Sequence, residues 1–187
     1  MISESLEELK KTYKDFDYYD YETKFEARNL INNLKKDNNN LKDWMHPKSN
    51  DIWHITTYYA AGINQHIREQ NSAYKEFSEG KLFEIELEGF VYIPNNLIFA
   101  FTNNYKFYSN NEYPHLTLLI NGYLKPKHSN CALKALYNLD KNMFDINKRK
   151  ENVYYHTIEI ENYTYGAYIL FYKRVKIVKG SMTSFMS

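Results

Sequence analysis

One cysteine, Cys131, stands in 187 residues. An intrachain disulfide framework and a cysteine-based zinc site are thereby excluded, and no disulfide-linked partner is expected. Six glycines are too few and too scattered to make a phosphate-cradling loop ahead of a helix, which excludes an ATP-driven mechanism of that type. No apolar run approaches the roughly 20 residues of a membrane-spanning helix. Neither sign of charge dominates: 24 Lys and Arg oppose 23 Asp and Glu, for a formal charge of +1. Such a balance is unlike a polybasic protein that grips nucleic acid by bulk charge, yet it leaves room for a local phosphate site. The polar, acidic stretch Met1 to Lys11 does not read as a secretion signal, so a soluble cytoplasmic monomer is expected.

Aromatic residues are what the chain has in excess, with 19 tyrosines and 11 phenylalanines, a composition suited to half-buried sheets. Capping-box spacing at Ser5 and Glu8 predicts a helix from Ser3 to Phe16, and apolar spacing predicts a second over Glu22 to Lys36. Residues 1–50 therefore read as a helical addition to one domain spanning 1–187. Ile52 to Tyr59 has strand composition, and Ile63 to Phe77 reads as a helix that turns Ile67, Ala73, Tyr74 and Phe77 inward. Leu82 to Ile93 alternates, with a bulge or change of face at Gly89. Leu97 to Thr102 and His115 to Asn121 are short apolar strands. Ser129 is placed to cap a helix running to Leu139. Two long strands follow, Asn152 to Glu161 and Tyr165 to Val178, joined by Asn162-Tyr163-Thr164, and 180–187 reads as a loose tail. Mixed helices and hairpins make α+β the natural class.

Two tripeptides carry the chemistry, His54-Ile55-Thr56 and His115-Leu116-Thr117, 61 positions apart. Each lies in a predicted strand, where residues i and i+2 share a face. His54 would share a face with Thr56, and His115 with Thr117, while Trp53, Ile55, Leu116 and Leu118 would turn into a core. In-line hydrolysis of a phosphodiester needs a base on the entering oxygen and an acid on the leaving one. Imidazole, with a pKa near ~6.5, fills either role at neutral pH. The threonine hydroxyls are donors for the phosphoryl oxygens. No metal is required, and neither a His-Glu-x-x-His helix nor a carboxylate cluster accompanies the histidines. Each tripeptide alone also fits a histidine hydrogen-bonded within its sheet; it is the pair, with apolar back faces, that points to a site.

On these residues the sequence resembles the 2H phosphoesterase superfamily, named for two His-x-Thr/Ser motifs. That superfamily includes LigT-like RNA phosphodiesterases and the cyclic-phosphodiesterase domains of tRNA ligases. The surroundings of the second motif, Pro114-His115-Leu116-Thr117, then Asn121-Gly122 and Lys125-Pro126-Lys127-His128-Ser129-Asn130, look like the tRNA-ligase-type branch or its eukaryotic and viral kin. The resemblance spans about Ile52 to Val178. It implies a bilobal α+β fold in which two antiparallel-rich sheets form a central cleft with helices outside. It also implies His54 and His115 as the acid–base pair and Thr56 and Thr117 as phosphate-binding hydroxyls.

Further candidates come from position. Tyr58 continues the face of His54 and Thr56, and Tyr113 and Tyr123 flank the second motif, so each is a candidate for stacking a base or holding a phosphate. Tyr172, Arg174 and Lys176 alternate along the last strand, and Arg174 is the one chosen as an anion contact. Lys125 and Lys127 are candidate rim contacts; His46, His66 and His128 read as structural or surface residues. The reaction expected is metal- and cofactor-free hydrolysis of a 2′,3′-cyclic phosphate on an RNA end or small nucleotide. Cleavage of 2′–5′ oligoadenylate or cyclic dinucleotides, and a non-catalytic nucleotide-binding module, are the alternatives. Motif order does not say which histidine is acid and which is base.

Overall fold

The computed structural model describes residues 2–5, 52–56, 64–75, 80–102 and 109–182. The predicted helix Glu22 to Lys36, Tyr58, His46 and residues 183–187 lie outside them. The elements are β1 (Ile2–Ser5), β2 (Ile52–Ile55), α1 (Gln65–Gln70), α2 (Ser72–Lys75), β3 (Leu82–Ile93), β4 (Leu97–Phe101), β5 (His115–Ile120), α3 (His128–Leu139), a 3₁₀ turn (Lys141–Phe144), β6 (Val153–Ile160) and β7 (Tyr163–Met182). The class is α+β, as expected. All strand pairs are antiparallel, and the described strands form one hydrogen-bonded sheet, ordered β1-β2-β5-β4-β3-β7-β6, in place of the two anticipated. The end of β7 also pairs with β1, Ile2 opposite Met182, so the sheet curls back on itself.

Phe99 and Phe101 of β4, Val91 and Ile93 of β3 and Ile169 and Phe171 of β7 bury one face of the sheet against Leu133 and Leu136 of α3. Phe101 and Phe171 meet edge to face, with centroids 5.4 Å apart, a geometry that favours the aromatic quadrupoles. The opposite face is apolar too: Ile55, Phe90, Tyr92, Leu116 and Leu170 are all buried. Burial on both faces explains why β4 reads as a continuous apolar run, Leu97–Phe101, with no alternation.

Two irregularities set the phase of the strands. In β5, Thr117 pairs with Phe99 and Leu119 with Ile98, which leaves Leu118 as an extra residue. This bulge returns Ile120 to the α3 side of the sheet, where it joins the core, and it falls one residue after Thr117. In β3 the register breaks between Leu87 and Gly89, as the glycine suggested. Opposite Glu88, β7 carries the residues between Phe171 and Lys176, so the expected shared face of Tyr172 and Arg174 is lost. Tyr172 is buried, edge-on to Phe90, whereas Arg174 is exposed.

Several local expectations are corrected. Ser3 to Ser5 extend as part of β1 instead of opening a helix, because pairing with both β2 and β7 outweighs a local capping pattern. The segment expected as one helix from Ile63 is two short ones divided at Asn71, and Ile67 is 60% exposed. The chain turns between β6 and β7 at Glu161-Asn162, not at 162–164. Both residues have positive φ, 50° and 68°, as a two-residue hairpin of right-handed twist requires. Gly180 to Met182, expected to be loose, continue β7 beside β3 and β1.

Candidate active site

The two His-x-Thr motifs sit on neighbouring strands. Ile55, the centre of the first, is paired with Leu116, the centre of the second. Antiparallel geometry carries that register one step in each direction, setting the His54 backbone position across from Thr117 and Thr56 across from His115. The motifs are thus related by an approximate two-fold through the Ile55–Leu116 pair. Both central side chains are buried, at 1% and 2% exposure, so the hydrophobic effect fixes the phase of each motif: a one-residue slip would turn a histidine into the place of an isoleucine or leucine.

His115 is held by its own strand and by neighbouring residues. It opens β5, is half-buried, and lies edge-on to Phe99 with ring centroids 6.0 Å apart. Its Nδ1 is 2.8 Å from the carbonyl oxygen of Tyr113. A carbonyl only accepts, so Nδ1 carries the proton and donates it, and in the neutral ring Nε2 keeps its lone pair. Burial lowers the pKa of His115 below 6.5, partly opposed by the Tyr113 carbonyl. The resting ring is therefore a neutral imidazole in one defined tautomer.

Thr117 is buried on the same side of the sheet as His115, beneath the start of α3. Its Oγ1 lies 3.0 Å from Oγ of Ser129. Ser129, expected as a helix cap, is instead the second residue of α3; the cap position is Lys127, with no side-chain cap bond. Sequence patterning missed this partnership because an Ser ahead of a helix ordinarily reads as a cap, and no spacing rule links 117 to 129.

The other candidates are distributed as follows. Thr56 is half-buried immediately after β2. Tyr123 is not brought to His115: β5 separates them by about 17 Å of strand, and the 65% exposed Tyr123 ring leans on Tyr163, centroids 6.0 Å apart. Arg174 is exposed in the irregular part of β7. Tyr113 contributes its backbone carbonyl to His115, while its ring rests on Tyr137 and its hydroxyl donates to Glu112. His66 is exposed on α1, as expected for a surface residue.

His128 is structural. It is buried, and its Nδ1 accepts the Lys125 backbone N–H at 2.7 Å. Nε2 therefore carries the ring proton in the neutral form and lies 3.1 Å from Glu161 Oε1, off the line of a good hydrogen bond. The Glu161 carboxyl is held below its usual range by Lys127, 3.0 Å away, and then by His128. This set ties the β6–β7 turn to the start of α3. Among the described residues no cluster of three His, Cys, Asp or Glu is placed to hold a metal ion, and no helix is long and apolar enough to cross a membrane.

No family model matches the chain, and no curated protein does. Among solved structures, the crystal structure of a fungal RNA kinase aligns with 80% of this chain and 43% of its own, at 12% identity and a TM-score of 0.41. The chain thus spans less than half of that neighbour's length, and a superposition this loose decides neither fold family nor activity.

Proposed function

We propose that the protein is a metal-independent phosphodiesterase of the two-histidine type, which opens 2′,3′-cyclic phosphates on RNA ends or nucleotides. The observation that carries this reading is the register of Ile55 with Leu116, which centres two chemically identical motifs on one backbone pair. A phosphorus atom at that centre would meet one His-x-Thr from each strand. The roles follow from the state of His115. A neutral imidazole whose Nδ1 proton is committed to Tyr113 presents Nε2 as the base that takes a proton from water. His54 then protonates the departing ribose oxygen, and the ring opens to a monoester. The hydroxyls of Thr56 and Thr117 donate to the non-bridging oxygens, where negative charge collects.

The test is a panel of 2′,3′-cyclic nucleotides, 2′–5′ oligoadenylates and cyclic dinucleotides, assayed with EDTA present and with products identified. Opening of the cyclic phosphates in EDTA is the expected result. Cleavage confined to 2′–5′ linkages would move the substrate class while keeping the site, and an inert protein across the whole panel would end the reading.

A further inference from the structure

We propose that Ser129 is a positioning residue for the reaction, acting through Thr117, an inference that rests on the two-histidine reading. The Thr117 hydroxyl has one proton. It can donate that proton to a phosphoryl oxygen only if its 3.0 Å contact with Ser129 is one in which Thr117 accepts and Ser129 donates. Ser129 is built to hold that role. It is fully buried, so no water competes for its hydroxyl. Its backbone is fixed by its own N–H to Pro126 O at 3.1 Å and by the adjacent His128 N–H to Lys125 O at 2.9 Å. One and two turns further on, Leu133 and Leu136 anchor the helix in the core. A donor fixed on α3 therefore orients an acceptor on β5. The accepted bond also polarises the Thr117 O–H, since hydrogen bonds in series strengthen one another away from water.

Two features set this apart from ordinary packing. The partners are both hydroxyls, where apolar residues of the same size would fill the space without any polar requirement. The contact also joins the helix directly to a motif residue, and not to a neighbouring position.

The experiment is a double-mutant cycle on the full chain, with a 2′,3′-cyclic nucleotide as substrate. Ser129→Ala should lower kcat/KM about 2- to 13-fold, the effect of one hydrogen bond, with the loss in kcat. Thr117→Val should lower it at least as much, and the double variant should be no worse than Thr117→Val alone. Ser129→Cys, close to serine in shape but a weak donor, should remain impaired. Effects that multiply in the double variant, or wild-type turnover in Ser129→Cys, overturn the proposal, and a change in melting temperature alone does not support it. His115→Ala is measured alongside. If it is inactive while the Ser129 and Thr117 effects multiply, the proposal fails by itself; if it is fully active, the two-histidine reading fails and takes the proposal with it.

Discussion

Ile55 and Leu116 face each other across β2 and β5, each buried and each flanked by a histidine before it and a threonine after it. Because antiparallel pairing inverts the direction of one motif relative to the other, each histidine position stands across from the other motif's threonine. The backbone positions of the two motifs are thus exchanged about one centre, and the proposed two-histidine chemistry rests on that relation.

Removing either imidazole should abolish that exchange. His54→Ala and His115→Ala are each expected to lower turnover by about 10²- to 10⁴-fold, with affinity for a nucleotide product changed only a few-fold. Steady-state kinetics beside equilibrium binding separates the two quantities. Tight binding with no turnover in the unsubstituted protein would indicate a nucleotide-binding module.

The buried state of His115 also links folding to pH. Its folded pKa is lowered from 6.5, so as pH falls below that value the unfolded chain takes up a proton that the folded chain refuses. Stability is therefore full above about pH 6.5 and is lost on acidification until the folded ring protonates as well. Wild type and His115→Gln, melted between about pH 8 and pH 5, should converge toward acid, with wild type losing more. Parallel curves would contradict the burial argument.

Phe99 lies edge-on to His115, a ring of the buried surroundings that lower its pKa. Phe99→Leu keeps an apolar residue there but opens space, which admits water and moves the His115 pKa back toward its ordinary value. The acid limb of the kcat/KM profile, set by the neutral base, should shift to higher pH in this variant. A limb that stays in place while stability falls would assign Phe99 to packing only.

Gly89 lies in register between Phe101 and Phe171, on the line that runs from His115 across the sheet. A Cβ there would run into the carbonyl oxygen of Leu170 and lie 3.0 Å from Phe171 Cα. Backbone cannot swing aside as a side chain can, so Gly89→Ala should cost at least the ~1–3 kcal/mol typical of overpacking. Urea unfolding measures it, and an unchanged midpoint would refute the close approach.

The amino-acid pattern showed much of this, though unevenly. Alternation and β-branched content located β3, β5, β6 and most of β7, and the His-x-Thr spacing singled out the two strands that turn out to be neighbours. What local pattern could not show is set by partners distant in the chain. Ser3 and Ser5 look like a helix start until β2 pairs with both and β7 pairs with Ser3. Ser129 looks like a cap until Thr117 claims its hydroxyl. Leu118 looks like one more step of an alternation until β4 skips it. Arg174 and Tyr172 lose their common face for the same reason, since the broken register depends on how β7 passes Glu88. The proton state of His115 was equally out of reach, because it comes from a carbonyl and a phenylalanine ring that only the assembled sheet brings together.

The seam between β1 and β7 has a kinetic corollary. Pairing Ile2 with Met182 closes a loop of nearly the whole described span, and the entropy of closing a loop rises with its length. β2, the strand of His54, is paired with β1 along four residues but meets β5 at the single pair Ile55–Leu116, so the five strands β3 to β7 around α3 share far more of the ladder than the first motif does. Catalytic competence should accordingly arrive as a slow, separate phase in refolding, later than the recovery of the aromatic core.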